Sequence, residues 1–301
     1  MDIFKIKKIL VPTDFSETAG NALSQAIYMA KLNKAAIKLI HVVVPIYITS
    51  PNSSVPSSDI FYTTIIDQSN EGLKKIAAEI AETNAIGVSY EVKLGNISDE
   101  ICNIAEKEKF DIIIMGTHGT SGVREFFAGS NAYKVVNHAE CPVLTIQKKP
   151  SKQSFKNIIL PIRLEITSRQ KVDFAIEMAR LFDSTIFITG FTDDKNESKQ
   201  FKVKQYVEQV EKYLTKLNVK YKSTSIFADN FTKEILDYAE KNKADLIVVM
   251  KKHDFSLNQL VNGVYSEQFV NHSAIPILSI PVFSNPDMIT HGTYLIGDLP
   301  F

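Results

Sequence analysis

Three glycines and a serine are spaced along one segment after an apolar run: Gly116, Gly119, Gly129 and Ser130. Glycine lets backbone N–H groups approach a ligand closely and adopts unusual φ angles without strain. A helix predicted to begin at Ser130 adds free N–H groups, and the serine adds a hydroxyl donor. This chemistry suits a chain of phosphates. The segment lacks the Gly-Lys-Ser/Thr ending of a Walker A loop, and its glycines are too far apart for the dinucleotide fingerprint.

A carboxylate follows another apolar run. Asp14 lies in the segment Pro12-Thr13-Asp14-Phe15-Ser16, directly after the apolar residues 9–11. At the end of a buried strand a carboxylate can accept hydrogen bonds from ribose hydroxyls. The alternative role is a cap for the helix that begins near Ser16. We favour the ligand role because ligands of parallel sheets bind beyond the carboxyl ends of strands, where the glycine segment is also expected.

The elements that must position these residues alternate along the chain. In the first half we predict strands at residues 9–11, 37–44, 88–94, 111–115 and 143–146. We predict helices at residues 16–32, 60–83, 98–107 and 130–137, with Ser98 as an N-cap. Apolar strands separated by helices are typical of a parallel sheet covered on both faces. The predicted fold is α/β, with two tandem doubly wound domains that each contain a five-stranded parallel sheet.

Two domains are predicted because the sequence repeats itself. Residues 8–12 (KILVP) resemble residues 157–161 (NIILP), and residues 100–142 resemble residues 234–276 at a shorter spacing. One duplication with extra residues in the Pro- and Ser-rich segment 45–60 explains both spacings. We therefore predict a first domain at 1–149, a linker at 150–156 and a second domain at 157–283. The remaining residues, 284–301, form a tail to which we assign no role.

The first half resembles the universal stress protein family. The pattern Gly-x2-Gly-x9-Gly-Ser/Thr is similar to that family's ATP signature, and KKILVPTDFSE is similar to its first strand and turn. Residues 39–42 (LIHV) resemble the end of its second strand. The resemblance covers residues 7–149. The second half fits the scaffold but lacks the signature.

This resemblance implies a Rossmann-like fold that binds an adenine nucleotide. It implies that Pro12, Thr13 and Asp14 line the adenosine pocket, that Val42 meets adenine through its backbone, and that Gly116 lies against the ribose. The residues it assigns to the phosphates are Gly119, Gly129, Ser130 and Asn131, and those flanking the nucleotide are Met115, Thr117 and His118. The implied cofactor is ATP, with ADP, AMP and a bound Mg²⁺ left open. The resemblance also implies an internal pseudo-dimer of the repeats and a homodimer formed through fifth strands.

The second half serves as an internal control. Scaffold residues occur in both halves, whereas the ligand set changes: Asp14 is matched by Arg163, Gly116 by Met250, Gly119 by His253 and Ser130 by Val264. We therefore expect only the first domain to hold a nucleotide. The basic residues Arg163, Lys251, Lys252 and His253 form either a separate anion site or a group of solvated side chains, and we favour the second interpretation.

Composition excludes several other classes. Lys plus Arg number 34 and Asp plus Glu number 34, so the basic excess of a nucleic-acid-binding protein is missing. Cys102 and Cys141 lack metal-site spacing and are expected to be free thiols, so we expect no metal site. The first residues lack the apolar stretch of a signal peptide, and no run approaches the roughly 20 apolar residues of a membrane helix. The expected location is the cytoplasm, without membrane contact.

The function expected from these observations is that of an ATP-binding regulatory module in the stress response. Two alternatives remain open. One is an enzyme, either a slow ATPase or a protein that phosphorylates itself. We assign no catalytic residue, because no general base is evident beside the glycine segment. The other is a structural assembly partner in which the nucleotide site is vestigial.

Overall fold

The computed structural model describes residues 5–45, 58–117, 130–147, 153–251 and 273–283. We call the part that contains strands β1–β5 repeat one, and the part that contains β6–β10 repeat two. Repeat one comprises, in chain order, β1 (Lys8–Pro12), α1 (Glu17–Asn33), β2 (Ala36–Val43), α2 (Ser58–Asn84), β3 (Val88–Leu94), α3 (Ile97–Lys107), β4 (Ile112–Gly116), α4 (Ser130–His138) and β5 (Val143–Ile146).

Repeat two follows the same order. It comprises β6 (Asn157–Ile162), a 3₁₀ turn (Ile166–Arg169), α5 (Val172–Phe182), β7 (Thr185–Thr192), α6 (Glu197–Lys216), β8 (Tyr221–Phe227), α7 (Phe231–Lys241), β9 (Leu246–Met250) and β10 (Ile277–Ile280). After the first strand it differs from repeat one, because the 3₁₀ turn occupies the place of the first turns of α1. The helix α5 therefore begins later in its repeat than α1 does. Residues 252–272, between β9 and β10, lie outside the described part of the chain.

The strands of both repeats form one ten-stranded sheet in the order β3-β2-β1-β4-β5-β10-β9-β6-β7-β8. Pairing is parallel within each repeat. At the centre β5 and β10 pair antiparallel, with Leu144 opposite Leu278. The predicted α/β fold with a mostly parallel sheet is thus confirmed, and the fifth strands pair inside the chain. Because β5 lies between β4 and β10, and β10 between β5 and β9, neither has an open edge for a strand of another molecule.

Helices cover both faces of the sheet. On one face α1, α2, α5 and α6 pack on alternate strand residues such as Ile9, Ile37 and Ile158. On the other face α3, α4 and α7 pack on the intervening residues, such as Leu10 and Ile40. Successive strand side chains point to opposite faces, so strands buried on both sides are apolar throughout. This explains the continuous apolar runs of the sequence.

One carboxylate in each repeat fixes the start of the first strand. Asp111 Oδ2 accepts hydrogen bonds from the backbone N–H groups of Lys7 and Lys8 at 2.7 and 2.8 Å. In repeat two Asp245 Oδ2 accepts the equivalent bonds from Lys156 and Asn157 at 2.9 and 3.0 Å. The same contact in both repeats indicates a scaffold role for this pair of residues.

The predicted N-cap of α3 is wrong by two residues. Asn96, not Ser98, is the N-cap, and its Oδ1 accepts from the backbone N–H groups of Ser98 and Asp99. Ser98 is buried in the first helical turn, where its hydroxyl also donates to Asn96 Oδ1 at 2.8 Å. Asparagine and serine are about equally good caps, so composition alone does not separate them.

Candidate functional site

The strand order of repeat one changes direction between β1 and β4. The chain leaves β1 toward β2 on one side and later returns to β4 on the other. Open α/β sheets bind ligands beyond the carboxyl ends of the strands at such a switch point. Pro12 and Gly116 are the last residues of β1 and β4, so the two segments singled out in the sequence both start here. We call this the carboxyl edge of repeat one.

The turn after β1 is held by its own polar side chains. Thr13 Oγ1 accepts from the backbone N–H of Phe15 at 3.1 Å, and Asp14 Oδ1 accepts from that of Ser16 at 3.1 Å. Ser16 is the N-cap of α1, and its Oγ accepts from the backbone N–H of Ala19. The cap role considered for Asp14 therefore belongs to Ser16. The carboxylate of Asp14 orders the turn and stays partly exposed at the carboxyl edge.

The end of β2 lies beside this turn. The pairing of β1 with β2 ends at Pro12 and Ile40, and the N–H of Thr13 donates to the carbonyl of Ile40 at 2.9 Å. Peptide groups two residues apart in a strand point in the same direction. Because the carbonyl of Ile40 points toward β1, the N–H and carbonyl groups of Val42 also point to that side of β2, past the last residue of β1. His41 Nδ1 lies 2.8 Å from the carbonyl oxygen of Thr13, which fixes the turn against β2.

Gly116 is a site of close packing between β4 and α1. A Cβ placed on Gly116 would lie 2.8 Å from Thr18 Cγ2 and 3.0 Å from the backbone carbonyl carbon of Thr18. Real Cβ atoms essentially never lie as close as 2.8 Å to another heavy atom, and a backbone contact of 3.0 Å is rare. The close position of α1 therefore favours glycine here, apart from any ligand. Close packing thus gives a reason for glycine at this position in addition to the ribose contact that the family resemblance implies.

The residues on either side of Gly116 have buried side chains. Met115 belongs to the core under α3 and α4. Thr117 is 1% exposed, and its N–H donates to the carbonyl of Ile146 at 3.0 Å. Their backbones lie at the carboxyl edge while their side chains face the interior. Of the other predicted residues, His118, Gly119 and Gly129 lie outside the described part of the chain.

The helix α4 completes this edge. It is the crossover from β4 to β5, which are parallel, so it starts at the carboxyl edge and runs back to the amino end of β5. Ser130 is its first residue and Asn131, which is partly buried, is its second. The structure thus brings to one edge the described members of the predicted set, namely Pro12, Thr13, Asp14, Val42, Met115, Gly116, Thr117, Ser130 and Asn131.

The matching edge of repeat two is filled by side chains. The guanidinium of Arg163, which matches Asp14, lies 4.7 Å from the centre of the Phe231 ring. Phe231 begins α7 and packs edge-on against Phe191, with ring centroids 4.9 Å apart. Phe191 matches Val42 and is fully buried. Arg163, Phe191 and Phe231 therefore form what we call the aromatic plug, at the positions that Asp14, Val42 and Ile97 occupy in repeat one.

Sequence reasoning assigns no role to the two phenylalanines of the plug. The residues that match them in repeat one, Val42 and Ile97, are smaller. The sequence contains one indication of the plug, namely that both positions carry a larger side chain in repeat two than in repeat one. It becomes interpretable only when the two positions are known to touch.

A buried lysine lies directly before α5 in repeat two. Lys171 is 3% exposed, and its Nζ donates to the carbonyl and the Oγ of Ser168 at 2.6 and 3.2 Å. Ser168 Oγ also accepts from the backbone N–H of Arg163 at 2.9 Å. Burial lowers the pKa of Lys171 to about 7, with Glu165 acting in the opposite direction and Arg163 adding to the lowering.

Two of the four basic residues considered in repeat two, Arg163 and Lys251, are described by the structure, and neither is fully solvated. Lys251 is buried, and its Nζ donates to the carbonyl of Ala139 in repeat one at 3.1 Å. Arg163 is partly buried on the ring of Phe231. Lys252 and His253 lie outside the described residues. We expected solvated side chains, and this expectation is wrong for Arg163 and Lys251, the two residues of the group that the structure describes.

The two cysteines are free, and burial is the largest influence on both thiols. It raises the pKa of Cys102 to about 11 and that of Cys141 to about 12. Such thiols stay protonated and are poor nucleophiles at neutral pH. Within the described ranges no group of three or more His, Cys, Asp or Glu side chains is placed to hold a metal ion. Over the same ranges no helix combines the length and apolar character of a membrane span.

The chain matches the model of the universal stress protein family twice, at residues 5–147 and 154–281. Universal stress protein MJ0531 of Methanocaldococcus jannaschii is 35% identical over 150 residues, which cover 49% of this chain and 85% of that protein. Universal stress protein MJ0577 of the same organism is 31% identical over 164 residues, covering 48% and 97%.

A solved structure extends the likeness to both repeats. The crystal structure of a universal stress protein from Archaeoglobus fulgidus superposes with a TM-score of 0.73, at 17% identity, over 92% of this chain and 98% of that one. At this identity the likeness concerns the fold. The two family-model matches cover most of the sequence, and the chain therefore belongs to the universal stress protein family, with two of its domains in tandem.

Proposed function

We propose that repeat one binds ATP at its carboxyl edge and that the protein is a nucleotide-dependent regulatory module. The observation that carries this proposal is the meeting of three features at one switch point. They are the turn that holds Asp14, the outward-facing peptide groups of Val42, and the start of α4. A carboxylate, a free strand end and a helix N-terminus are suited to ribose, base and phosphate respectively.

The adenosine end of the nucleotide would lie between β1 and β2. The backbone of Val42 offers a donor and an acceptor to the edge of the base, while Pro12 and Thr13 line the pocket. Asp14 accepts from the ribose hydroxyls, because the turn already fixes its Oδ1. Gly116 presents backbone without a side chain on the ribose side.

The phosphate end would lie along residues 116–131. In this proposal the backbone N–H groups of Gly119, Gly129, Ser130 and Asn131 hold the phosphates, with His118 beside them. Met115 and Thr117 contribute backbone only, since their side chains are buried. ADP and AMP are the alternative ligands, and Mg²⁺ accompanies ATP if the phosphates need further charge neutralisation.

Repeat two does not bind a nucleotide in this proposal. Arg163 replaces the carboxylate proposed for the ribose, and its guanidinium lies on the ring of Phe231, which packs against Phe191. Repeat two is thereby a partner for repeat one within an internal pseudo-dimer. We also propose that two chains associate, through surfaces other than the fifth strands, and that the protein acts in the cytoplasm during stress.

Regulation follows from linkage. A ligand that binds one conformation of a protein better than another shifts the population toward that conformation. Occupancy of repeat one would thus alter the shape or the assembly of the protein as nucleotide levels change. Such a module needs no chemical step.

The first test is the identity and stoichiometry of the bound ligand. Mass spectrometry of material released by denaturing purified protein should find an adenine nucleotide. Calorimetric titration with ATP, ADP, AMP and cAMP, the ligand of one solved universal stress protein, should give one site per chain and rank ATP first. The same series with and without Mg²⁺ tests the metal. Two sites per chain would contradict the restriction to repeat one, and no site would contradict the proposal.

The second test uses matched substitutions. Gly119→Val should abolish the titration signal because the side chain fills the phosphate space, whereas His253→Val at the matching position of repeat two should leave it unchanged. Asp14→Asn keeps an oxygen for the turn but removes the charge, so we expect about tenfold weaker binding. Single-turnover incubation with labelled ATP should show turnover below about 1 s⁻¹, since faster hydrolysis would indicate an enzyme.

A further inference from the structure

A lysine of repeat two is buried against repeat one. Lys251 directly follows β9 and occupies the position that matches Thr117, at the carboxyl edge of its own repeat. It is 4% exposed, and its backbone N–H donates to the carbonyl of Ile280 at 2.7 Å. Its ammonium donates to the carbonyl of Ala139 at 3.1 Å. One residue thus joins the end of β9 to the other repeat.

The carbonyl that accepts this bond belongs to the end of α4. Ala139 follows the last helical residue, and its N–H donates to the carbonyl of Val135 at 2.9 Å. The carbonyl groups at a helix C-terminus carry partial negative charge, and a cation placed there is favourable. The ammonium of Lys251 therefore meets the end of α4 that attracts it most strongly.

The antiparallel centre of the sheet makes this contact possible. β5 runs parallel to β4 and antiparallel to β10, which in turn runs parallel to β9. The carboxyl edge of repeat two therefore lies on the side of the sheet where β5 begins. α4 has nine residues, about 13 Å of helix, and links the two sides. Its first turn lies at the carboxyl edge of repeat one and its last at that of repeat two.

The surroundings make the bond to Ala139 important for Lys251. Burial lowers the pKa of its ammonium, while Cys102, Glu140 and Cys141 act in the opposite direction. Both thiols keep their protons at neutral pH, so neither supplies a full negative charge there. A buried ammonium needs hydrogen-bond acceptors to offset the loss of water. The carbonyl at the end of α4 is such an acceptor.

We propose that Lys251 is a positioning residue for nucleotide binding by repeat one, because it anchors the helix whose first turn faces the phosphates. The carboxyl edge of repeat two, which the aromatic plug closes to a ligand, then serves to hold the ligand site of repeat one. This inference rests on the proposed ATP site. It assigns repeat two a specific part in that site, namely restraint of the far end of α4.

The test compares three variants of the full chain by titration with ATP. Lys251→Met removes the donor and should weaken binding by about fivefold to tenfold. Lys251→Arg keeps a charged donor at the helix C-terminus and should stay within about threefold of the parent. Lys171→Met is the matched control, since it removes another buried lysine of repeat two whose Nζ bonds to Ser168 and not to α4. It should bind ATP as the parent does.

Amide hydrogen exchange without nucleotide supplies a second measurement. Lys251→Met should speed exchange in residues 132–139 and leave α1 unchanged, because only α4 loses its anchor. If Lys251→Met does not fold, Lys251→Gln tests the loss of the charge with a shorter, neutral donor in place of the ammonium. Parent protein that fails to bind ATP would overturn the proposed function. A parent that binds ATP, together with Lys251→Met of equal affinity or with unaltered exchange in α4, would overturn this inference alone.

Discussion

At the end of its first strand repeat one has Asp14 in a hydrogen-bonded turn, whereas repeat two has Arg163 lying on the ring of Phe231. The following helices differ as well. α1 begins at Glu17 with Ser16 as its cap, whereas α5 begins at Val172 after a 3₁₀ turn. The scaffold contacts of Asp111 and Asp245 are nevertheless the same. The repeats have therefore diverged at this edge while keeping the contact that fixes the start of the first strand.

The difference bears on the proposed loss of the nucleotide site from repeat two. Protein interiors are densely packed, and an empty cleft loses contacts that a ligand would supply. In repeat two, two phenylalanines and an arginine provide these contacts from within the chain. If repeat one binds the proposed nucleotide, the ligand makes the corresponding contacts there. The two edges are then alternative ways to complete the same sheet.

The largest effect is expected from emptying the plug. Phe191→Ala removes a fully buried ring and should lower the free energy of unfolding by about 3–5 kcal/mol. Val42→Ala, at the matching position of repeat one, removes a smaller side chain and should cost about 1–2 kcal/mol. Urea denaturation of both variants measures the difference. Equal costs in the two repeats would show that the plug contributes no special stability.

ATP titration of the same pair sharpens the comparison. Val42→Ala should retain binding because the proposed contact is made by the backbone. Phe191→Ala should not acquire a second site, since Arg163 and Met250 remain. A second site in Phe191→Ala would show that ring volume alone closes repeat two.

The next effect concerns pH and Lys171. Its pKa is lowered from the ordinary 10.5 to about 7 in the folded state, so between these values the unfolded chain binds one more proton. The contribution of Lys171 to stability should thus rise with pH above 7, by about 3 kcal/mol up to pH 9.5. Below pH 7 both states are charged, and the burial penalty is present in full.

Lys171→Met isolates this contribution. The variant should gain most over the parent at pH 6.5, and its advantage should shrink toward pH 9.5. Denaturant unfolding at pH 6.5, 8.0 and 9.5 follows the difference, with Lys212→Met on the exposed face of α6 as the surface control. A gap between parent and Lys171→Met that does not change with pH would mean that Lys171 is charged throughout this range.

The smallest effects are expected from two glycines of repeat one. Gly116→Ala places a methyl 2.8 Å from Thr18 Cγ2, and we expect a loss of about 1–3 kcal/mol from the resulting shift of α1. Gly20 lies within α1, and a methyl group at this residue would meet no described atom within 4 Å, so Gly20→Ala should gain about 0.5–1 kcal/mol. Thermal unfolding distinguishes the two signs. A stabilising Gly116→Ala would refute the packing argument at that residue.

Much of the fold follows from local patterns. The strands are short apolar runs buried on both faces, and the helices between them show apolar spacing, so both can be predicted without long-range information. The duplication adds a second copy of each pattern. Predicted strand 88–94 has the same limits as β3, and strand 143–146 has the same limits as β5. Cap residues are harder to predict because Asn96 and Ser98 are equally suited to the role.

The contacts across the molecule cannot be predicted in this way. Lys251 bonds to a residue 112 positions away, and nothing in its neighbourhood in the sequence points to Ala139. The same holds for Phe191 and Phe231, which lie 40 positions apart in the sequence and are brought together by the sheet and α7. The continuous ten-stranded sheet depends on β5 and β10 meeting, which the apolar character of each strand permits but does not specify.

The antiparallel pair at the centre of the sheet has a consequence for how the two halves can evolve. Two separate chains that associated through such an antiparallel strand pair would dissociate on dilution. Here the connection between Ile146 and Asn157 makes the pairing intramolecular, with an effective concentration in the millimolar range for a short linker. At protein concentrations below this value each half pairs with the other half of its own chain, so a substitution in one is presented to the same neighbour. That permanence allows the two halves to specialise.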